Sequence, residues 1–266
     1  MGNRILQLSD PHLLADPQGL CAGYPSLPLL RHALVTADRQ LRASGQPPDL
    51  LLISGDLCQD ESWGGYVGLR TLLEAWPLPV ALLPGNHDHP QLLRAVLGRS
   101  AVIAPALVPL GNWRLLLLDS HRAAQAAGWI GARQLAWAQR QLAAVAQPVL
   151  VALHHPPMPI GDPGMDAIHL RDGEALLELL RFSPWVKAVV FGHIHQHWQG
   201  ALPGRPELPL LGCPSTLRSF GPVQPCPLDR AQDPGGRLLE LGREGEIRHR
   251  LLRWERPDPL SFDSGL

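Results

Sequence analysis

The segment LLLISGD, residues 50–56, is the part of the sequence that does most to define the fold. Leu50 to Ile53 form a continuous apolar run, which is typical of a strand buried on both faces of a parallel sheet. Gly55 and Asp56 follow at once and favour a turn at the carboxyl end of that strand. The segment therefore predicts a buried strand with a carboxylate at its end.

Similar apolar runs precede and follow this strand, and helical patterns separate several of them. Strands are predicted at residues 4–9, 80–83, 114–118, 149–153 and 188–191. Helices are predicted at residues 29–41, 62–75, 133–146 and 174–180. This alternation is typical of an α/β protein in which helices cover a parallel sheet.

The sequence changes character after residue 197, where short segments alternate with Pro and Gly. Antiparallel strands are predicted at residues 208–211, 217–220, 237–241 and 247–254, with a surface loop over residues 221–236. A length of 266 residues is ordinary for one α/β domain. We therefore predict a single domain over residues 1–256 and a disordered tail over residues 257–266.

Composition and charge limit the classes of partner. The net charge of −1 predicts no basic surface for nucleic acid, and no apolar stretch approaches the ~20 residues of a membrane span. The four cysteines form no CxxC pair and the N-terminus shows no signal-peptide pattern, so we expect free thiols in the cytoplasm. We thus expect a small-molecule substrate and neither a nucleic-acid nor a membrane partner, and the sequence indicates no oligomeric state.

Five short polar clusters recur along the chain, and most of them directly follow a predicted strand. They are Asp10-Pro-His12, Gly55-Asp56, Gly85-Asn86-His87-Asp88, His154-His155 and Gly192-His193-Ile-His195. Taken singly, each cluster can be read as a turn, a helix cap or a satisfied polar group. Ligands of open α/β sheets bind beyond the carboxyl ends of the strands, so the occurrence of all five together favours one shared site.

The side chains of these clusters are carboxylates, an amide and imidazoles. Because no cysteine is among them, a structural zinc site is disfavoured, whereas Fe, Mn, Zn or Co in a catalytic site suits the mixture. Two such ions about 3.5–4 Å apart can hold the attacking and leaving oxygens of an in-line displacement at phosphorus. The clusters therefore predict a two-metal hydrolase of phosphate esters.

The five clusters resemble, in content and in order, the motifs of the calcineurin-like metallophosphoesterase superfamily. Flanking stretches resemble its class III cyclic-nucleotide phosphodiesterases, and these stretches are Asp10–Asp16, Gly55–Asp60, His154–Pro157, Met165-Asp166, Pro214–Thr216 and Pro234–Leu241. The chain departs from that group at Gly236, where an aromatic residue is usual. The resemblance implies an α/β fold of four layers, an α/β/β/α sandwich with mixed sheets.

The resemblance also implies a set of metal ligands. Asp10, His12, Asp56 and His195 would hold a first divalent ion. Asp56, Asn86, His154 and His193 would hold a second, with Asp56 bridging the two ions. Either His154 or His155 could be the ligand, and we choose His154 because it is nearer the strand. Fe²⁺ and Mn²⁺ are the favoured ions.

Catalytic contacts follow from the same resemblance. His87 matches the histidine that binds no metal, and it would stabilise the transition state or protonate the leaving oxygen. Asp60 would orient His87. The substrate would contact His12, Asn86, His87 and His195. The implied reaction is hydrolysis of 3′,5′-cyclic AMP to 5′-AMP by in-line attack of a metal-bridging hydroxide.

Two other functions remain open at the level of sequence. One is a broader phosphodiesterase that acts on 2′,3′-cyclic nucleotides or glycerophosphodiesters, because the same metal centre can serve all of these substrates. The other is a scaffold without activity. A scaffold is disfavoured because every ligand position is filled.

Overall fold

Two six-stranded sheets form the centre of the computed structural model, which describes residues 2–257. The strands are β1 (Asn3–Leu8), β2 (Leu20–Cys21), β3 (Tyr24–Pro25), β4 (Leu50–Ile53), β5 (Val80–Leu82), β6 (Val102–Ile103), β7 (Ala106–Leu110), β8 (Trp113–Leu117), β9 (Val149–Ala152), β10 (Val186–Phe191), β11 (Trp198–Leu202), β12 (Arg205–Gly212), β13 (Gly235–Leu241) and β14 (Ile247–Arg253). The helices are α1 (Ser26–Ala43), α2 (Trp63–Glu74), α3 (Pro90–Leu97), α4 (Gly131–Ala144), α5 (Pro163–Asp166) and α6 (Gly173–Arg181).

Each sheet has parallel strands at its centre and an antiparallel strand at one edge or both. The first sheet has the order β14-β13-β1-β4-β5-β6, in which β1, β4, β5 and β6 are parallel, β13 is antiparallel to β1, and β14 is antiparallel to β13. The second has the order β11-β12-β10-β9-β8-β7, with antiparallel β7 and β11 at its edges. The small β2–β3 pair stands apart from both sheets.

Strand β4 shows how the layers pack. Leu51 and Ile53 point to one face and pack with helices α1, α2 and α3, whereas Leu50 and Leu52 point to the other face and meet the second sheet. The second sheet is covered on its outer face by α4 and α6. Because successive side chains of a strand alternate between faces, one apolar run can fill two cores. The predicted α/β/β/α sandwich with mixed sheets is confirmed.

One predicted strand is wrong, and its neighbour pairs in an unexpected way. Residues 217–220 form a loop, because the N–H groups of Leu217 and Arg218 bind the Ser215 hydroxyl and the strand ladder cannot continue. Strand β12 pairs antiparallel with β11, as predicted, and it also pairs in parallel with β10. The tail predicted from residue 257 lies, from residue 258 onward, outside the described residues. Between residues 2 and 257, no helix has the length and apolarity needed to cross a membrane.

Candidate metal centre

Loops that follow the carboxyl ends of strands in both sheets meet at one place. The first sheet contributes the residues after β1, β4 and β5, and the second contributes those after β9 and β10. The side chains brought together are Asp10, His12, Asp56, Asn86, His154, His193 and His195, which we call the candidate metal centre. The predicted convergence of strand ends therefore occurs across both sheets.

The backbone of the centre is unusual, because five of its residues have left-handed φ angles. Nine residues other than glycine have positive φ in the described chain, and these five are among them: Asp10 (53°), His12 (50°), Asp56 (46°), His193 (67°) and His195 (50°). Each such residue costs about 1–2 kcal/mol. Hydrogen bonds between loops hold them, for example from His12 N–H to Asp56 O at 2.9 Å. Strain of this kind clusters at functional sites.

A first group of four buried side chains could hold one cation. Asp10, His12, Asp56 and His195 each offer a ligand atom, and these atoms lie within 4.8 Å of one another. The Nε2 atoms of His12 and His195 are only 3.0 Å apart. Their Nδ1 atoms lie at hydrogen-bond distance from Gln59 Oε1 and Arg218 O, at 2.7 and 3.0 Å. Both carbonyl oxygens can only accept a hydrogen bond, so each histidine carries its proton on Nδ1. The lone pairs on the two Nε2 atoms are therefore free and face the same point.

A second group surrounds the Nε2 atom of His154. This atom lies 3.2 Å from Asn86 Oδ1, 3.2 Å from His193 Nδ1 and 3.4 Å from Asp56 Oδ1. The other nitrogen, Nδ1, donates to the carbonyl of Ser54 at 2.8 Å. Among the described residues, the buried His193 Nε2 has no hydrogen-bond partner. The ligand atoms of Asn86, His193 and Asp56 converge on His154 Nε2, an arrangement that fits a bound cation in place of a proton.

His155 is buried beside this second group but is held by the protein. Its Nδ1 lies 2.8 Å from the Ser120 hydroxyl and its Nε2 lies 3.1 Å from the Ala126 carbonyl. Both ring nitrogens are therefore occupied, although the residue lies close enough to His154 and His193 to share an ion with them. The geometry favours His154 over His155 as the ligand.

Burial and charge give the centre the electrostatics of a cation site. Burial lowers the pKa of His12 to about 4 and that of His193 to about 3. Burial opposes protonation of His154 too, but the carboxylates of Asp56 and Asp10 outweigh it and raise its pKa to about 9. For Asp56, burial disfavours the charge, yet neighbouring histidines, first His154, keep its pKa well below the usual value. Charged carboxylates thus lie among mostly neutral imidazoles.

His87 is half-buried at the edge of the centre, and its neighbour differs from the predicted one. Gln59 Nε2 lies 3.3 Å from His87 Nδ1. The exposed carboxylate of Asp60 instead accepts from Ala15 N–H at 2.9 Å and from the Cys58 thiol at 3.2 Å. The orienting role of Asp60 stays a prediction, and Gln59, next to it in sequence, was missed.

Two further residues near the centre were given no role from sequence, although Asp88 lies in one of the five polar clusters. Phe220 stacks on His195 with ring centroids 4.3 Å apart and planes 7° from parallel. The fully buried Asp88 carboxylate accepts from Tyr66 O–H at 2.9 Å and from backbone N–H groups of Leu57, Cys58 and Gly85. Asp88 thus ties the loop after β4 to the loop after β5. The Gly-Asn-His-Asp motif was the available signal for Asp88.

Comparisons with known proteins agree with the fold and the site. Residues 3–197 match the model of the calcineurin-like phosphoesterase family. A probable cyclic nucleotide phosphodiesterase of Synechococcus sp. (strain WH7803) is 52% identical, over 94% of this chain and 96% of that protein. The 3′,5′-cyclic adenosine monophosphate phosphodiesterase CpdA of Pseudomonas aeruginosa is 33% identical, over 91% of this chain and 87% of its own length.

A solved structure shares the fold at much lower identity. It is a dimetal phosphatase from Danio rerio, with a TM-score of 0.63 and 17% identity, covering 95% of this chain and 99% of that one. At this identity, the likeness concerns the fold alone. The family match and the two sequence relatives carry the assignment, and the chain belongs to the calcineurin-like phosphoesterase family.

Proposed function

We propose that this phosphoesterase hydrolyses 3′,5′-cyclic AMP to 5′-AMP with two divalent metal ions. The position of Asp56 is the observation that carries the two-metal part. Its Oδ2 lies 3.8 Å from His12 Nε2 in the first group, and its Oδ1 lies 3.4 Å from His154 Nε2 in the second. One carboxylate thus turns an oxygen toward each group, as a bridging ligand must.

The substrate class is supported by the sequence relatives. The relatives at 52% and 33% identity are named for cyclic nucleotide and 3′,5′-cyclic AMP phosphodiesterase activity, and each aligns over more than nine-tenths of this chain. The segments that differ between phosphodiesterases of one fold are the loops around the metal centre.

The donor set fits divalent ions of intermediate character. Imidazole nitrogens and carboxylate oxygens without thiolate suit Fe²⁺ or Mn²⁺, which we propose as the native pair, and also Zn²⁺ or Co²⁺. When bound, such ions would lower the pKa of a water molecule between them and neutralise charge on the phosphoryl oxygens.

The other steps fall to residues of the chain. Asn86 and His87 lie next to each other after β5, so that the side-chain amide and imidazole could both reach a phosphate held at the centre. The Nδ1 atom of His87 is occupied by Gln59, which leaves the Nε2–H group to donate a hydrogen bond to the departing 3′-oxygen, and that oxygen takes its proton from solvent. A donor positioned at a site of developing negative charge typically contributes about 10²–10³-fold in rate.

We also infer a single catalytic domain that works in the cytoplasm. Both sheets contribute ligands, which supports one domain over residues 1–256. All four cysteines are free, and free thiols, two of them buried, suit a reducing compartment.

A substrate panel on protein loaded with Mn²⁺ tests the proposed reaction. We expect kcat/KM for 3′,5′-cyclic AMP to exceed that for 2′,3′-cyclic AMP and for a glycerophosphodiester by roughly tenfold or more, which corresponds to about 1.4 kcal/mol. His87→Ala should lower turnover about 10²–10³-fold, whereas His169→Ala, outside the centre, should not. A higher kcat/KM for either other diester would replace the proposed substrate.

A further inference from the structure

Gln59 contacts two histidines of the site with opposite ends of its side-chain amide. Its Oε1 lies 2.7 Å from His12 Nδ1, and its Nε2 lies 3.3 Å from His87 Nδ1. The rings of His12 and His87 meet edge to face at 5.2 Å between centroids. The side chain of Gln59 therefore connects His12, a candidate metal ligand, to His87.

The donors and acceptors around Gln59 determine the orientation of this amide. His12 turns Nε2 toward His195, so that a neutral His12 that binds a cation there must carry its proton on Nδ1. Only the carbonyl end of Gln59 can accept that proton. The amide NH₂, which can only donate, then faces His87, whose Nδ1 must be an unprotonated acceptor.

The surroundings of Gln59 keep the amide in this orientation. Its backbone N–H donates to Leu13 O at 2.7 Å, which fixes the start of the side chain. The Cys21 thiol lies 3.7 Å from Oε1 and adds a second donor to the same oxygen. Reversing the amide would place NH₂ against the N–H of His12 and would lose both contacts.

We propose that Gln59 is a positioning residue that makes His87 the tautomer protonated at Nε2. The carbonyl of Gln59 accepts the Nδ1 proton of His12, and the amide donates to Nδ1 of His87, so that the single proton of neutral His87 lies on the nitrogen directed away from Gln59. The consequence, a hydrogen bond from Nε2–H to the leaving oxygen, rests on the proposed function. The tautomer itself does not, since it can be observed without substrate.

Nitrogen-15 NMR of the histidine side chains tests the tautomer in metal-free and Zn²⁺-loaded protein. We expect the protonated nitrogen of neutral His87 to be Nε2 in the wild type. In the isosteric Gln59→Glu variant the carboxylate accepts from both rings, so the proton should move to Nδ1. Gln139→Glu, on helix α4, is the matched control and should leave the spectrum of His87 unchanged. A wild-type His87 protonated at Nδ1, or a Gln59→Glu variant with an unchanged His87, would overturn the proposal.

Kinetics with two leaving groups separate positioning from damage to the metal centre. Gln59→Glu should lower kcat for 3′,5′-cyclic AMP roughly 10–100-fold, the usual effect of losing such an outer contact. It should change kcat for bis(p-nitrophenyl) phosphate by less than about threefold, because that phenolate delocalises its charge and needs no hydrogen-bond donor to depart. Gln59→Met, which removes both contacts, should show the same split with an intermediate loss. An equal fall on both substrates would refute a positioning role, and failure of cyclic AMP as a substrate would refute only the proposed function.

Discussion

The candidate metal centre and a second buried cluster both contain histidines, yet they are built in opposite ways. The second, which we call the Arg237 cluster, consists of Arg237, His197 and His249. Its guanidinium lies 3.0 Å from Nδ1 of each histidine and donates to Gly212 O at 2.7 Å. In the metal centre, by contrast, the Nε2 atoms of His12 and His195 face each other with no donor between them.

The difference shows that burial alone does not distinguish a ligand from a supporting histidine. His197 is 7% exposed and His195 is 6% exposed, which makes them equally buried. Carboxylates accompany the metal centre, whereas Arg237 has no ion pair with a carboxylate among residues 2–257. Converging lone pairs beside carboxylates mark a cation site, and lone pairs already bound by a guanidinium mark a support for the fold.

The largest expected effect comes from the carboxylate shared by both ligand groups. Asp56→Ala should lower turnover on the order of 10³-fold or more, because several kcal/mol of charge stabilisation is lost with the ions. Elemental analysis should find fewer than two metals per chain. Asp38→Ala, on the surface of α1, is the control that keeps both. Two bound metals in the Asp56→Ala protein would remove Asp56 as the bridge.

The adjacent histidines at the end of β9 offer a comparison within the centre itself. His154→Gln should lose one metal per chain and about 10²-fold or more in kcat, a loss of roughly 3 kcal/mol. His155→Gln should keep both metals and lose about 1–3 kcal/mol of unfolding free energy, because buried partners at Ser120 and Ala126 lose their contacts. Metal content and urea unfolding of both variants distinguish them, and the reverse pattern would make His155 the ligand.

The Arg237 cluster should respond to mutation in stability rather than in catalysis. In Arg237→Met three acceptors, two of them buried, lose their donor, at about 1–3 kcal/mol for each buried one, while removal of a buried cation offsets part of that cost. We expect a net loss of about 2–4 kcal/mol, with kcat and metal content of the folded protein unchanged. Arg248→Met, exposed on the neighbouring β14, should be close to neutral. Loss of metal in Arg237→Met at full stability would place this cluster in the active site.

The layers and the meeting point of the polar clusters could be predicted from sequence because both depend on local patterns. The apolar run Leu50–Ile53 predicts a strand with two buried faces, and β4 in the structure is buried on both. Polar clusters after such strands predict a meeting point, since parallel strands end at the same edge of a sheet. These inferences need no knowledge of how distant loops hydrogen-bond.

Features that depend on contacts between distant loops could not be predicted. The left-handed backbone of Asp10 and His12 is stabilised by the loop after β4, through the carbonyls of Gly55 and Asp56. Gln59 and Asp60 are adjacent, and neighbouring residues of an extended segment point to opposite sides, so that sequence alone does not show which one reaches His87.

The smallest expected effect is a dependence of stability on pH that arises from His249 in the Arg237 cluster. Burial, and then the charge of Arg237, lower the pKa of His249 to about 4, below the 6.5 of the unfolded chain. Between these values the unfolded state binds more protons, so this contribution is fully present above pH 6.5 and is lost as the pH falls toward 4. The full shift would give about 3 kcal/mol, which partial exposure of the ring reduces to about 1–2 kcal/mol.

His249→Gln tests this dependence, because an amide oxygen can still accept from Arg237 but does not titrate. The unfolding free energy of both proteins should be measured between pH 4 and pH 7. The wild type should lose about 1–2 kcal/mol more than the variant as the pH falls, since the metal centre is common to both and cancels in the difference. Parallel curves would show that His249 titrates in the folded protein as it does in the unfolded chain, and the Arg237 cluster would then hold that ring only loosely.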